Sequence, residues 1–368
     1  MRLLAACSPG EVRVAAVDGA TLVDYAVWRP GAPEGVGDLW RGRVSAVVAA
    51  MAGCFVSLRG AEDGFLPDSE GGAHLGEGQA VGVRVTRAAQ GGKGPRLSAR
   101  LDASEAALIG SGAPCLVRRG PGALERLAAR HAEATIELDD AAVAAALRPT
   151  LGERLRLVRA AFDAAVAAEV EALAEPEVIL PGGVRMDIRP TPALTAIDID
   201  LGAAGAGRGG KARTQFAANR SVLPELARQI RLRNLSGAIL VDFGGMSAAR
   251  RARLGPDLQA ALAGDPLAAR LLGFTRLGLA EIVRPRVYAP LHELLCGPHG
   301  AALAALRAAD ATLAARPHEA PALRAAPAVE AALRDDAAAL ADWRRRTGRA
   351  LAIRVDPALP ALAWRLDG

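Results

Sequence analysis

The chain contains few aromatic residues, few lysines and few cysteines, and the small number of cysteines excludes a disulfide-rich protein. Aromatic side chains form only 3% of the 368 residues, because alanine supplies much of the apolar half of the composition. Four cysteines are too few for a disulfide scaffold of this length and suit a reducing compartment. No apolar run approaches the roughly 18 residues of a membrane span. We therefore expect a soluble, cytoplasmic protein with no membrane partner.

The charge balance is weakly basic, which favours an anionic partner. Lysine and arginine total 45 against 40 acidic residues, and only Lys93 and Lys211 are lysines. The letters Leu4 to Cys7 imitate a lipoprotein cleavage box. The apolar stretch before that cysteine is shorter than the roughly 7–15 residues that a signal peptide needs. We predict that Arg2–Cys7 forms the first strand of the fold instead.

Two short acidic segments carry most of the information about chemistry. They are TAIDIDL at Thr195–Leu201 and AILVDFGG at Ala238–Gly245, joined by an arginine-rich, helix-like stretch from about 214 to 234. Strand, helix and strand in that order predict a right-handed crossover between two parallel strands. Asp198 and Asp200 are two residues apart, so they point to the same face of a strand.

Asp198 and Asp242 would lie side by side if these two strands are neighbours. Their separation would then be roughly 5 Å, the spacing of adjacent strands. Two carboxylates at that distance, with basic residues around them, suit a magnesium ion that acts on a phosphodiester. The alternative interpretation is a pair of strand-end aspartates that cap turns.

A second region, from about Gly35 to Leu101, alternates short apolar runs with glycine-rich turns. Its predicted strands are Leu39–Val48, Gly53–Leu58, Asp63–Pro67, Ala80–Ala88 and Gly94–Arg100. Five such strands in so short a segment predict a small barrel of the OB type. Phe55 and Phe65 lie in it, and they either fill the interior or stack on bases at the surface. Trp40 is predicted to pack inside the barrel.

Two blocks of sequence resemble the ribonuclease E/G family. They read GDLWRGRVSAVVAAMAGCFVSLRGAEDGFLPDSE and AIDIDLGAAGAGRGG…ANRSVLPELARQIRLRNLSGAILVDFGGM. The resemblance implies that Asp198 and Asp242 hold Mg²⁺. Asp200 stands where the family usually has an asparagine that helps to orient the attacking water. Asn219 and Gly237 also match the family's pattern.

The same resemblance implies an RNA-binding surface. Phe55 and Phe65 occupy the positions of two aromatic residues that stack on RNA bases, and Lys93 matches a basic residue beside them. The further RNA-binding residues that the resemblance implies are Arg228, Arg231 and Arg276. Arg276 belongs to the stretch LGFTRLGLAEIVRPR, whose charged residues also include Glu281, Arg284 and Arg286. That stretch is either a basic rim that grips phosphates or a solvated strand edge.

The chain departs from the family's pattern at several positions. Gly245 replaces the second aspartate of an IDFIDM strand, and Ser221 replaces a glutamate. Pro224 interrupts a helix that is normally unbroken, and it should kink or restart the helix there. The interval 102–175 has the fewest matches and lacks the Arg-Thr pair of the family's sensor for a 5′ monophosphate. We predict that this sensor is missing or reduced.

A zinc link between protomers is a further expectation from the resemblance. The family carries a C-P-x-C knuckle from which each protomer gives two thiolates to a shared zinc, whereas this chain has Cys296 and, three residues later, His299. Cysteine and histidine are both good zinc ligands, so a site shared across a two-fold axis is chemically sound. His292 is an alternative ligand, and the competing interpretation is a metal-free turn.

The resemblance implies a multidomain α/β fold. An RNase H-like subdomain is interrupted by the OB-fold barrel, and a DNase I-like catalytic subdomain and a small C-terminal α+β subdomain follow. The predicted segments are 1–34 and 102–180 for the RNase H-like part, 35–101 for the barrel, 181–290 for catalysis, 291–305 for the zinc link and 306–368 for the C-terminal subdomain.

The function expected from these observations is that of a bacterial Mg²⁺-dependent endoribonuclease. It would cleave single-stranded RNA in RNA processing, including rRNA processing, or in RNA decay, and it would form a homo-oligomer. The first alternative is an RNA-binding relative with weak or no catalysis, which the departures at Gly245, Ser221 and Pro224 favour. The second is a magnesium phosphohydrolase of small molecules, which explains the aspartates but leaves the aromatic residues of the barrel without a purpose.

Overall fold

A computed structural model describes residues 1–202, 211–318 and 321–367. The chain forms two compact units. The first comprises 1–27, 130–286 and 290–368, and the second comprises 28–129 with 287–289. The glycine-rich stretch 203–210, part of the block that resembles the ribonuclease family, lies outside the described residues. In the described part of the chain, no helix combines the length and apolar character needed to cross a membrane.

The chain begins with three strands, β1 (Arg2–Ser8), β2 (Glu11–Asp18) and β3 (Thr21–Trp28). This confirms the strand predicted for Arg2–Cys7. Strands β1 and β2 pair antiparallel from Arg2↔Val17 to Ser8↔Glu11. Gly10 in the turn between them has φ 77°, a left-handed conformation that favours glycine.

The second unit is built on a closed five-stranded barrel, consistent with an OB-like fold. Its strands are β4 (Leu39–Val48), β5 (Gly53–Ser57), β6 (Gly64–Pro67), β7 (Ala80–Arg87) and β8 (Arg96–Ser98). They run in the order β5-β6-β8-β7-β4, and a pairing of β4 with β5 closes the ring. All five strands predicted from the sequence are therefore confirmed, with ends that differ by a few residues.

The barrel unit is longer at both ends than the segment 35–101 predicted from the sequence. A further strand, β9 (Cys115–Arg118), pairs with β4, and helices α1 (Ala103–Ile109) and α2 (Ala123–Arg130) accompany it. Residues 102–129, which the sequence analysis assigned to the RNase H-like part, lie in this compact unit. Buried Glu105 helps to hold this extension, because it forms ion pairs with Arg84 and Arg118.

The first sheet of the first unit is completed by strands from later in the chain. Strand β10 (Thr135–Leu138) pairs parallel with β1, and β11 (Leu155–Leu157) pairs parallel with β10. The order is β11-β10-β1-β2-β3. Helices α3 (Ala141–Leu151) and α4 (Ala164–Ala172) follow β10 and β11.

The second sheet carries the acidic segments. Its strands are β12 (Glu177–Ile179), β13 (Arg185–Pro190), β14 (Thr195–Asp200), β15 (Gly237–Phe243), β16 (Arg270–Phe274) and β17 (Ala280–Arg284), in the order β12-β13-β14-β15-β17-β16. Strands β14 and β15 are parallel neighbours joined through α5 (Lys211–Leu232), as predicted.

Helix α5 runs through Pro224 without a break, so the expected restart there is wrong. Proline removes one helical hydrogen bond. The residues on either side, Leu223 and Leu226, are buried in the core against the sheet, and this packing outweighs the loss. The segment 248–262 contains two helices, α6 (Ala248–Ala252) and α7 (Gly255–Leu262). Pro256 lies in the first turn of α7, where its missing amide proton costs no helical hydrogen bond.

The C-terminal part packs four helices with a small sheet. Its elements are α8 (Leu291–Leu295), α9 (Pro298–Ala315), β18 (Ala322–Ala325), α10 (Pro327–Asp335), α11 (Ala337–Thr347), β19 (Ala352–Val355) and β20 (Trp364–Asp367). The proline-rich segment between α9 and α10 contains strand β18. Helices α10 and α11 are separated at Asp336, because that residue leaves helical geometry and caps α11 by accepting a hydrogen bond from the Ala339 amide.

Asp140 joins α3 to the C-terminal part, and its removal should destabilise the protein. One carboxylate oxygen caps α3, and the other accepts hydrogen bonds of 2.7 Å from Arg345 and Arg346. Burial alone would raise the pKa of Asp140, but these partners hold it below its ordinary value. We expect Asp140→Ala to lower the free energy of unfolding by about 3 kcal/mol, measured by urea denaturation at pH 7.

The loss should depend on pH with a definite sign. Because the folded pKa of Asp140 is lowered, its stabilisation is present above the unfolded pKa, near ~4. It is lost as the pH falls through the folded value, so wild type and variant should converge below about pH 4. Asp163→Ala is the matched control, since Asp163 caps α4 through the Val166 amide. An equal loss in both variants would contradict the role assigned to the two arginines.

Candidate functional site

Asp198 and Asp242 are brought together at the ends of β14 and β15. The two strands pair in parallel register, with Asp198 opposite Asp242. Burial alternates along β14, so Ile197 and Ile199 enter the core while Asp198 and Asp200 face solvent. The Cα atoms of directly paired residues on adjacent strands are about 5 Å apart. The two carboxylates therefore share one face of the sheet.

A third carboxylate, which the sequence analysis did not single out, extends this row. Strand β13 pairs antiparallel with β14 and places Asp187 opposite Asp198. The sequence contains one signal for it, because Asp187 lies between the apolar residues Met186 and Ile188. Both of these residues are buried in the structure. The turn from Thr191 to Leu194 closes the hairpin through a 2.9 Å backbone hydrogen bond. Asp187, Asp198 and Asp242 thus form a line across three neighbouring strands.

The line of carboxylates perturbs the ionisation of its central member. Partial burial raises the pKa of Asp198 above its usual value, and the negative charges of Asp242, Asp200 and Asp187 raise it further. Asp200 behaves in the opposite way. A hydrogen bond from the Gly202 amide and one from Arg185 keep the pKa of Asp200 below its usual value. The surroundings of Asp198 therefore disfavour its ionised form. A bound cation would stabilise that form.

An ion pair also lies against Asp242. The Arg251 Nη1 atom, from α6, is 2.6 Å from the Asp242 Oδ1 atom. The two atoms are close enough for an ion pair, but their orientation does not form a hydrogen bond. Within the described residues, Asp242 Oδ1 has no hydrogen-bond partner. Sequence reasoning did not find Arg251, because nothing local marks one arginine of α6 as different from the next.

The turn after Asp242 is held by residues of α5. The fully buried Asn219 amide donates hydrogen bonds of 2.9 Å to the Gln215 carbonyl and 3.0 Å to the Gly244 carbonyl. Gly245 has φ 72°, and a Cβ atom there would lie 2.5 Å from the Gln215 side chain. Glycine therefore suits this position on both backbone and steric grounds, and Asn219 fixes the strand end that presents Asp242.

The donor set fits a hard, hydrated divalent cation. Among the described residues, no three histidine, cysteine or acidic side chains are close enough to cage an ion. Two carboxylates on neighbouring strands leave most of a coordination shell to water, which is how Mg²⁺ is commonly bound. Asp187 Oδ1 is also buried without a hydrogen-bond partner in the described part of the chain. Both observations are compatible with a magnesium ion held by Asp198 and Asp242.

The arginines proposed to bind RNA are placed very differently from one another. Arg228 forms ion pairs with Glu225 and Glu169, and Arg231 donates to the Val23 carbonyl at 3.0 Å. These engagements within the first unit favour structural roles for both. Arg276 is exposed in the connection between β16 and β17 and stays available to an anionic ligand.

Arg284 is not part of a basic rim, contrary to one of the two interpretations of its segment. Its side chain is only 2% exposed and forms an ion pair with buried Asp265 at 3.0 Å. It also donates to the Asn234 side chain at 2.6 Å. Removing either charge would leave the other buried without a partner, so Arg284 stabilises the sheet edge.

The barrel presents an aromatic pair on its outer face. Phe55 and Phe65 are cross-strand partners, and their ring centroids are 5.5 Å apart in an edge-to-face arrangement. Their neighbours Cys54, Val56 and Leu66 fill the core instead. The interpretation that both rings fill the interior is therefore wrong.

The remaining predicted residues of the barrel are also accounted for. Trp40 is buried in the barrel core, as predicted. Lys93 is exposed, and its backbone pairs with Gln90 in the tight turn between β7 and β8. Gly53 lies beneath Phe65, since a Cβ atom there would come within 2.6 Å of the ring. That close approach explains glycine at this position.

The residues of the expected zinc link lie around the start of α9. Cys296 is exposed and follows α8, and His299 is in the first turn of α9. The His299 Nε2 atom is 2.8 Å from the Asp336 carboxylate. His292 is half-buried, and burial lowers the pKa of its imidazole, which keeps the ring neutral.

Comparisons with known proteins point to one family. The model of the ribonuclease E/G family matches residues 127–287, which include the whole acidic sheet face. Ribonuclease E of Escherichia coli K12 is 25% identical over 79% of this chain and 37% of its own length. Ribonuclease G of the same strain is 36% identical over 35% of this chain and 26% of its own length.

A third relative, ribonuclease E of a Nostoc species, is 38% identical over 33% of this chain and 18% of its own length. The chain thus spans about a third of ribonuclease E from Escherichia coli and about a quarter of ribonuclease G. The family match covers every strand of the second sheet, together with β10 and β11 of the first. These matches support membership in the ribonuclease E/G family.

Proposed function

We propose that this protein is an endoribonuclease that cleaves single-stranded RNA in RNA processing or decay, with Mg²⁺ at Asp198 and Asp242. The observation that carries the proposal is the parallel register that sets these two carboxylates side by side. The names of the relatives support the reaction class. The DNase I-like and RNase H-like identities of the subdomains belong to the same proposal.

The residues of the acidic face have distinct roles in this proposal. Asp198 and Asp242 would hold the ion from neighbouring strands. Bound there, Mg²⁺ supplies Lewis-acid stabilisation of the phosphate and lowers the pKa of a coordinated water. Asp200, oriented by Arg185 and the Gly202 amide, would accept a hydrogen bond from the attacking water. Asn219 keeps Asp242 in place through the Gly244 carbonyl. The expected product carries a 5′-phosphate on the downstream fragment.

The barrel would supply affinity for unpaired RNA. Base stacking on an aromatic ring tolerates any sequence, because every base has a π face. Phe55 and Phe65 offer such faces on the outside of the barrel, and exposed Lys93 adds a positive charge for the backbone. Paired RNA cannot use this surface well, since its bases are already stacked in a helix.

The decisive test is an assay on a fluorescent, unstructured RNA with Mg²⁺ and with EDTA. Cleavage that requires Mg²⁺ and leaves a 5′-phosphate supports the proposal. Binding without cleavage would identify a non-catalytic RNA-binding relative, the alternative that Gly245 and the Arg251–Asp242 ion pair favour. Neither binding nor cleavage would leave a small-molecule phosphohydrolase as the better explanation.

We further propose that Cys296 and His299 contribute to a zinc ion shared by two copies of the chain. Asp336 engages the His299 Nε2 atom, so Nδ1 would be the ligating nitrogen, an arrangement in which a carboxylate orients the ligand. Purified wild type should then contain about one zinc per two chains and behave as a dimer or a higher oligomer.

Metal analysis with Cys296→Ser tests this proposal. The variant should lose the zinc and shift toward monomer in sedimentation velocity. Cys115→Ser is the matched control, because Cys115 lies on β9 of the barrel unit and should not affect metal content. Zinc retained by Cys296→Ser, or absent from wild type purified without chelators, would rule the link out.

A further inference from the structure

Among the described residues of the acidic face, Arg251 is the least exposed cation that pairs with an aspartate. Its side chain is 15% exposed, against 45% for its partner Asp242. The other arginines at this face are much more open. Arg185, which contacts Asp200, is 57% exposed, and Arg189, which contacts Asp187, is 64% exposed. Solvent screens such open pairs strongly, so Arg251 has the largest electrostatic effect of the three.

The contact between Arg251 and Asp242 is close but poorly directed. The nitrogen and oxygen are 2.6 Å apart, yet neither Asp242 Oδ1 nor Arg251 Nε makes a hydrogen bond within the described residues. A bidentate arginine–carboxylate pair would use two parallel hydrogen bonds and be harder to displace. Here charge and partial burial hold the guanidinium, which makes it replaceable by a stronger cation.

The guanidinium occupies the same carboxylate that the proposed magnesium site requires. Asp198, the neighbouring carboxylate, has no ion-pair partner among the described residues, and partial burial together with the negative charges of Asp242, Asp200 and Asp187 raises its pKa. A divalent ion bound between Asp198 and Asp242 would lie within a few ångströms of the Arg251 charge. The two cations would then share one carboxylate, and their positive charges would repel each other.

We infer that Arg251 is a built-in electrostatic competitor of the divalent cation at Asp242, so that its positive charge lowers the affinity of this site for metal. The inference rests on the proposed magnesium site and adds a residue that sets its affinity. A unit charge about 7 Å from a divalent ion in a watery environment weakens binding by on the order of tenfold. Removing that charge should therefore tighten metal binding by about the same factor.

The experiment measures metal binding directly, without reference to cleavage. Mn²⁺, a paramagnetic substitute for Mg²⁺, is titrated into wild type, Arg251→Gln and Arg250→Gln, and free Mn²⁺ is followed by electron paramagnetic resonance. Arg250 is the matched control, because it is an exposed arginine on the same short helix with no ion pair to the acidic face. We expect roughly tenfold tighter binding in Arg251→Gln and less than about twofold change in Arg250→Gln.

A second readout follows stability. Without metal, Arg251→Gln should melt below wild type, since it leaves neighbouring carboxylates uncompensated. Saturating Mn²⁺ should raise its melting temperature more than that of wild type. If the glutamine variant does not fold, Arg251→Ala is titrated instead, and Arg251→Lys, which keeps the charge, should bind Mn²⁺ within about threefold of wild type.

The outcomes separate this inference from the proposed function. Equal Mn²⁺ affinity in wild type and Arg251→Gln, with loss of binding in Asp242→Asn, would overturn the competition and leave the metal site standing. Equal tightening in Arg250→Gln and Arg251→Gln would also overturn it, since the effect would then be one of net charge. If neither wild type nor any variant binds Mn²⁺, the proposed magnesium site is itself wrong.

Discussion

Asp198→Asn should abolish RNA cleavage while leaving RNA binding nearly intact. Asparagine keeps the size of the side chain but removes the negative charge that a cation requires. The ion is expected to stabilise the developing charge by several kcal/mol, so the rate should fall by roughly 10³-fold or more. Single-turnover cleavage of a fluorescent RNA measures the rate, and fluorescence anisotropy with the same RNA measures the affinity.

The matched control for this prediction is Asp257→Asn. Asp257 is an aspartate of the same unit that forms an open ion pair with Arg220. Its loss removes the same charge from the chain but should change the rate less than twofold, because exposed ion pairs contribute little. Wild-type cleavage by Asp198→Asn would defeat the metal assignment. A loss of RNA affinity as large as the loss of rate would show that Asp198 acts through binding.

The second large effect is expected at the aromatic pair. Stacking contributes about 1–3 kcal/mol per base, so Phe55→Ala or Phe65→Ala should weaken binding of unstructured RNA by roughly 5- to 150-fold. Both rings lie on the outer face of the barrel, and neither belongs to its core. The fold should therefore tolerate the changes, and thermal melting can verify this for each variant.

Two comparisons make the aromatic prediction sharp. Phe55→Leu and Phe65→Leu keep an apolar side chain but lose the π face, so they should bind RNA nearly as weakly as the alanine variants. All variants are measured in the Asp198→Asn background, which prevents cleavage during the titration. Full affinity in the leucine variants would show that the surface acts through apolar contact alone. Wild-type RNA affinity in the alanine variants would show that this face of the barrel does not bind RNA.

Short-range patterns predicted most of the fold correctly. The alternation of apolar and polar residues located the five barrel strands and both acidic strands, because side chains alternate between the faces of a strand. Interruptions of helices were harder to predict. Pro224 lies in a continuous helix, contrary to the expected restart. Packing of α5 against distant residues of the sheet decided this result against the local preference of proline.

The sequence by itself determined that Asp198 and Asp200 share a face and that Asp242 ends a second apolar run, and it contains the motifs that resemble the ribonuclease E/G family. Only the tertiary structure decided that Asp187 completes the row, that Arg251 sits on Asp242 and that Arg284 is buried. The physical reason is the separation of the interacting residues along the chain. Periodicity along one strand follows from local geometry, whereas pairing between strands and between charges depends on residues far apart in the chain.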